Sequence, residues 1–210
     1  MNQAIVTSTA AALLIGCATS SYQQASTAKI EPPSVSIHQA AWKGDVKAVE
    51  RHWAAGTDVN SLNKWNATPL HYATRAGQAA AAKLLVTKGA NVHAKNNESV
   101  TPLHYSASGG HSTIVALLIA KGARVNEKDA EGLTPLHRAA RSGHRDTAAL
   151  LIGNGAEVNV KNSAGLTPLE LADENAAELL RKHGGKSAVK LGALSDDAAN
   201  GNIEAVKQHL

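Results

Sequence analysis

A chain of 210 residues can form one ordinary domain or one repeat array, and 43% of it is hydrophobic, a globular value. It contains no Phe and only 3% aromatic residues, so its core must rely on Ala, Leu, Val and Ile, which suits thin, closely packed helices better than a thick interior. The formal charge of +4 lacks the dense Lys/Arg clustering of a nucleic-acid binder, a single cysteine excludes an internal disulfide framework and a thiolate zinc cluster, and no stretch nears the roughly 20 apolar residues that span a bilayer.

The first element is a leader. Residues 1–17 carry no charged side chain, and Ala10 to Gly16 form a short apolar run. Leu14-Ile15-Gly16-Cys17 resembles a bacterial lipobox. That resemblance implies a lipoprotein signal peptide over 1–17, with Cys17 as the first mature residue and the site of lipid attachment. Ala18 after the cysteine implies the outer membrane over the inner one. The segment departs from the pattern in having no Lys or Arg near its start, where a signal peptide is positive. An ordinary secretory signal cut after Ala18 and a plain leader on a cytoplasmic protein stay open. The expected place is therefore the bacterial cell envelope, as an outer-membrane lipoprotein or a periplasmic or secreted protein. Residues 18–34, rich in Ser, Thr, Gln and Pro, read as a disordered tether.

A repeat follows. Thr68-Pro69-Leu70-His71, Thr101-Pro102-Leu103-His104, Thr134-Pro135-Leu136-His137 and Thr167-Pro168-Leu169-Glu170 begin 33 residues apart, as do Gly56, Gly89, Gly122 and Gly155. Thr caps a helix N-terminus and Pro suits its first position. The spacing predicts helices over Pro102 to Ser108 and Ser112 to Ala120, with Gly109-Gly110 between them and a left-handed Gly122 as the stop. One helix pair cannot bury its own apolar face, so neighbours must stack. The four-residue motif at this period resembles the ankyrin repeat over about residues 35–185. The fold expected is an all-α solenoid of helix pairs joined by hairpin-like loops.

The ends differ from the middle. Ile37-His38-Gln39-Ala40-Ala41 aligns with Leu70 to Thr74, but Val35-Ser36 stands where Thr-Pro would be. We read 35–62 as a capping repeat, 63–95, 96–128 and 129–161 as full repeats, and 162–185 as a repeat shortened by four residues around Asp173-Glu174-Asn175. Glu174, Glu178, Arg181 and Lys182 give it a soluble outer face. Trp53 aligns with Val86 and is expected in the core. Residues 186–193 read as a linker. Leu194 to Leu210 matches Ile37 to Trp53 at a constant offset, which reads as the start of a second, truncated array; a docking helix that closes the first array is the alternative.

Chemistry is hard to find. There is no Gly-x-Ser-x-Gly elbow, phosphate-binding Gly loop or His-Glu-x-x-His, so no catalytic residue, metal site or cofactor is expected. Ten histidines invite a metal reading. The family resemblance instead assigns His71, His104 and His137, and His111 and His144 after the inter-helix Gly, to hydrogen bonds between loops and helices.

The resemblance also implies a concave partner surface made of hairpin tips and first helices. It maps to Lys64, Trp65, Ala67, Arg75 and Ala76 in the first full repeat, and to Asn97, Glu98, Val100 and Ser108 in the second. In the third it maps to Ala130, Glu131, Leu133, Arg141 and Ser142, while Trp42 aligns with Arg75. The partner-binding residues selected are Trp42, Lys64, Trp65, Arg75, Asn97, Glu98, Ser108, Glu131 and Arg141. Trp and Arg are types enriched in binding hot spots. Tyr72 and Tyr105 are assigned to inter-repeat packing. The function expected is non-catalytic: a monomeric scaffold holding another protein, with possible membrane attachment through lipid on Cys17. Two alternatives are the recognition arm of a larger protein and binding to an anionic surface or nucleic acid. Interspersed Glu98, Glu131, Glu157 and Glu170 count against the last, and no nucleic acid is expected.

Overall fold

The computed structural model describes residues 31–187. The leader with Cys17, residues 18–30 of the tether, residues 188–193 of the linker and the segment 194–210 lie outside the described residues. Among the described residues there are ten helices and no strand. The first helix of each unit is short: α1 (Ile37–Lys43), α3 (Pro69–Arg75), α5 (Pro102–Ser108), α7 (Pro135–Arg141) and α9 (Pro168–Leu171). The second helices are α2 (Val46–Ala54), α4 (Ala79–Thr87), α6 (Ser112–Ala120), α8 (Arg145–Gly153) and α10 (Glu174–Lys182). First helices pack on first helices and second on second, giving two layers. The fold is an all-α repeat solenoid.

Small side chains make the layers thin. Ala40, Ala41, Ala73, Ala81, Ala82, Ala107, Ala139, Ala140, Ala148 and Ala176 are fully buried, and Leu70, Leu85, Leu103, Leu118, Leu136, Leu151 and Leu180 fill the space between them. Gly122 stops α6 with φ 84°. None of the helices among the described residues is long and apolar enough to cross a membrane.

The motif histidine ties each unit to the next. His71 Nδ1 accepts the Thr68 N–H at 3.0 Å, which places the ring proton on Nε2. Nε2 then donates to the Val100 carbonyl at 3.0 Å, in the following hairpin. His104 does the same with Thr101 and Leu133, and His137 with Thr134 and Leu166. The cap joins this ladder: His38 Nε2 lies 3.0 Å from the Ala67 carbonyl, and Ser36, aligned with the motif Pro, caps its helix one residue later by accepting the Gln39 N–H. Glu170 ends it. Its carboxylate accepts the Thr167 N–H at 2.9 Å, but a carboxylate has no N–H for a following carbonyl.

The deletion in the final unit is visible as a first helix of four residues. The chain leaves it extended at Ala172 (φ −68°, ψ 140°), and Asp173 caps α10 through the Asn175 N–H at 2.8 Å. One expectation fails. Trp53 is 45% exposed, with the Lys88 ammonium 3.4 Å from its ring centroid. Val86, its aligned counterpart, is itself only half-buried, packed at the edge of the core, and the larger indole at this position extends into solvent.

Burial keeps the ladder neutral, although the backbone carbonyls and, for His104 and His137, the Asp129 carboxylate pull the other way. It lowers the pKa of His71 and of His104 from 6.5 to about 4, and holds His137 below its ordinary value. Protonation would also turn Nδ1 from acceptor to donor against a backbone N–H. The unfolded chain therefore binds more protons between pH 6.5 and 4, and stability rises with pH across that window. It is complete above 6.5 and lost as pH falls towards 4, by on the order of 3 kcal/mol for each of His71 and His104. Urea unfolding from pH 7.5 to 4.5 should show this fall, with a shallower slope in a His104→Asn variant. Equal slopes in the two proteins would remove the histidines as its cause.

Candidate partner-binding surface

The hairpins that join the units are built by one side chain each. Asn63 Oδ1 accepts the N–H groups of Trp65 and Ala67 at 2.9 and 3.0 Å. Asn96 holds Glu98 and Val100 in the same way, Asp129 holds Glu131 and Leu133, and Asn162 holds Ala164 and Leu166. The tips are then zipped together by backbone bonds. The Asn97 N–H donates to the Trp65 carbonyl at 3.0 Å, Ala130 to Glu98 at 2.9 Å and Ser163 to Glu131 at 3.0 Å. Gly132 has φ 74°, and an added Cβ would lie 2.7 Å from the Ser163 nitrogen, whereas Asn66 and Ser99 hold the same left-handed position in the two preceding hairpins.

The same Asn side chains reach across to the first helices. Asn63 Nδ2 donates to the Tyr72 hydroxyl at 2.7 Å and Asn96 Nδ2 to the Tyr105 hydroxyl at 3.2 Å. In the next unit both partners change together. Asp129 has no N–H to give, and Arg138, which stands where Tyr would, donates through Nε at 3.0 Å.

A cleft of about 280 Å³ opens between the first two full hairpins and their helices. Trp65, Asn97 and Glu98 come from the tips, and Tyr72, Arg75 and Tyr105 from α3 and α5. Four of the residues selected from sequence, Trp65, Arg75, Asn97 and Glu98, thus share one site. Trp65 is 53% exposed, and the Lys64 ammonium sits 4.3 Å from its ring centroid. The Arg75 guanidinium lies over Tyr105 at 5.4 Å. Trp42 is at the rim, exposed, with its ring edge-on to Tyr72 at 6.3 Å.

The other selected residues lie elsewhere. Ser108 is half-buried, and its carbonyl accepts from His144 Nε2 at 3.0 Å. Glu131 and Arg141 are exposed on the following unit. Ala67, Val100 and Leu133 are buried, not displayed, because each lies under its tip and its carbonyl faces the previous unit's histidine. Asn63 and Asn96 were missed as organisers of the site. The signal was present in Asn63, Asn96, Asp129 and Asn162, which recur every 33 residues five positions before the motif Thr.

A family profile described as Ankyrin repeats (3 copies) matches residues 37–129, 88–162 and 126–190. The chain belongs to the ankyrin-repeat family. No curated protein matches it. Ankyrin repeats are in general protein–protein interaction modules, and proteins built from them are typically non-catalytic scaffolds. Among the described residues, no group of three or more His, Cys, Asp or Glu side chains is placed to hold a metal ion.

The Asn–Tyr and Asp–Arg pairs should behave as interchangeable modules of the ankyrin hairpin. Asp129→Asn leaves Arg138 without its carboxylate and should cost about 1–3 kcal/mol in urea unfolding. The double variant Asp129→Asn, Arg138→Tyr restores the pair used by the two preceding repeats and should recover most of that loss. Strict additivity of the two single changes would contradict the pairing.

Proposed function

We propose that this chain is a binding scaffold that holds a partner protein on the surface formed by its hairpin tips and first helices, centred on the cleft between the first two full repeats. The observation that carries the reading is the convergence of Trp65, Arg75, Asn97 and Glu98 on one concavity, with a second exposed tryptophan, Trp42, at its rim. Trp and Arg are residue types enriched in binding hot spots. An ordered frame also binds with little loss of conformational entropy. Lys64, Arg75, Glu98, Glu131 and Arg141 make no ion pair among the described residues, so their charges stay available to a partner.

The place of action rests on Leu14-Ile15-Gly16-Cys17 alone. If that run works as its resemblance implies, the chain is a lipoprotein and the partner is an envelope protein. The test is affinity capture from a bacterial envelope extract with the wild-type chain beside a Trp42→Ala, Trp65→Ala, Arg75→Ala triple variant, both checked by circular dichroism. The wild type should enrich a protein that the folded variant loses. Equal capture by both would move the site away from the cleft.

A further inference from the structure

The charges around the cleft say what kind of side chain it takes. Two of the three large rings in the cleft already carry a cation, Lys64 over Trp65 at 4.3 Å and Arg75 over Tyr105 at 5.4 Å, and the third, Tyr72, meets His38 and Trp42 in T-shaped contacts. A basic or quaternary ammonium group set against either of those two rings would meet a like charge. Arg75 is exposed and forms no ion pair among the described residues, so its planar fork of N–H donors is free and already oriented by Tyr105. Such a fork fits a carboxylate, which it can bind through two parallel hydrogen bonds. Glu98 lies on the tip side of the same cleft and repels a second acid there, which fixes the carboxylate on the helix side.

We infer that the cleft recognises an acidic side chain of a partner polypeptide, gripped by Arg75, next to an apolar side chain that packs between Trp65 and the rings of Tyr72 and Tyr105. This rests on the protein-binding reading above. A polypeptide fits better than a free small acid because the unpaired groups continue beyond the cleft, to Glu131 and Arg141 on the following unit. A ligand confined to about 280 Å³ would leave these groups unused.

The experiment is selection of random linear peptides displayed on phage against the full chain, with wild type, Arg75→Glu, Arg75→Gln and Trp65→Ala in parallel. Circular dichroism confirms that each is folded, and the uncharged Gln variant separates charge from shape. Wild-type ligands should carry Asp or Glu one or two residues from an aromatic or aliphatic residue. Arg75→Gln should weaken them about tenfold or more. Arg75→Glu should weaken them further and select Lys or Arg in place of the acid. Ligands that need Trp65 but carry no acid, or that ignore both Arg75 changes, overturn the acidic assignment and leave the protein-binding reading standing. If no selected ligand depends on Trp65, both are contradicted.

Discussion

One imidazole in each of the three full repeats holds this array together. Its Nδ1 takes an N–H from the start of its own helix, and its Nε2 gives a proton to the hairpin of the next unit. The group works only when neutral, because one nitrogen must accept while the other donates. The dry Ala- and Leu-rich surroundings that lower its pKa therefore also preserve its function in the fold. A single buried side chain thus joins helix capping, loop position and inter-repeat cohesion. Stability in such an array is collective, so weakening one link is felt by its neighbours.

The binding surface inherits its rigidity from these links. The Val100 carbonyl held by His71 belongs to the hairpin whose Asn96 also pins Tyr105, on which Arg75 lies. The next tip is bonded to the last through Asn97 and Trp65. Each wall of the cleft is therefore fixed from two directions. Three exposed side chains, Trp65, Arg75 and Glu98, are thus mounted on backbone held by these hydrogen bonds.

Most of the fold was legible in the sequence because its determinants are local and periodic. Thr-Pro at each helix start, Gly after each second helix and a strict period define α5 and α6 to the residue. The cap was harder, since Val35-Ser36 replaces Thr-Pro, yet Ser36 supplies a capping oxygen one residue further on. Trp53 was misplaced because alignment with Val86 carries no information on which way a half-buried position faces. The candidate site was legible as a set of positions but not as a cavity. Family geometry pointed to Trp65, Arg75, Asn97 and Glu98, whereas the buried Ala67, Val100 and Leu133 were included wrongly. The organising role of Asn63 and Asn96 depends on side-chain bonds across nine residues, which no propensity scale encodes.

The central claim is that the histidine ladder, more than general packing, positions the hairpins that frame the cleft. The most direct test is amide hydrogen exchange in wild type and a His71→Leu variant, which keeps a similar volume but removes both ring nitrogens. The account predicts that protection of Asn97 and Val100, whose amides donate to the Trp65 carbonyl and to Asn96 Oδ1, falls well below that of Ala130 and Leu133 one repeat further on. Equal loss of protection in both hairpins would contradict it and show that packing alone sets their position.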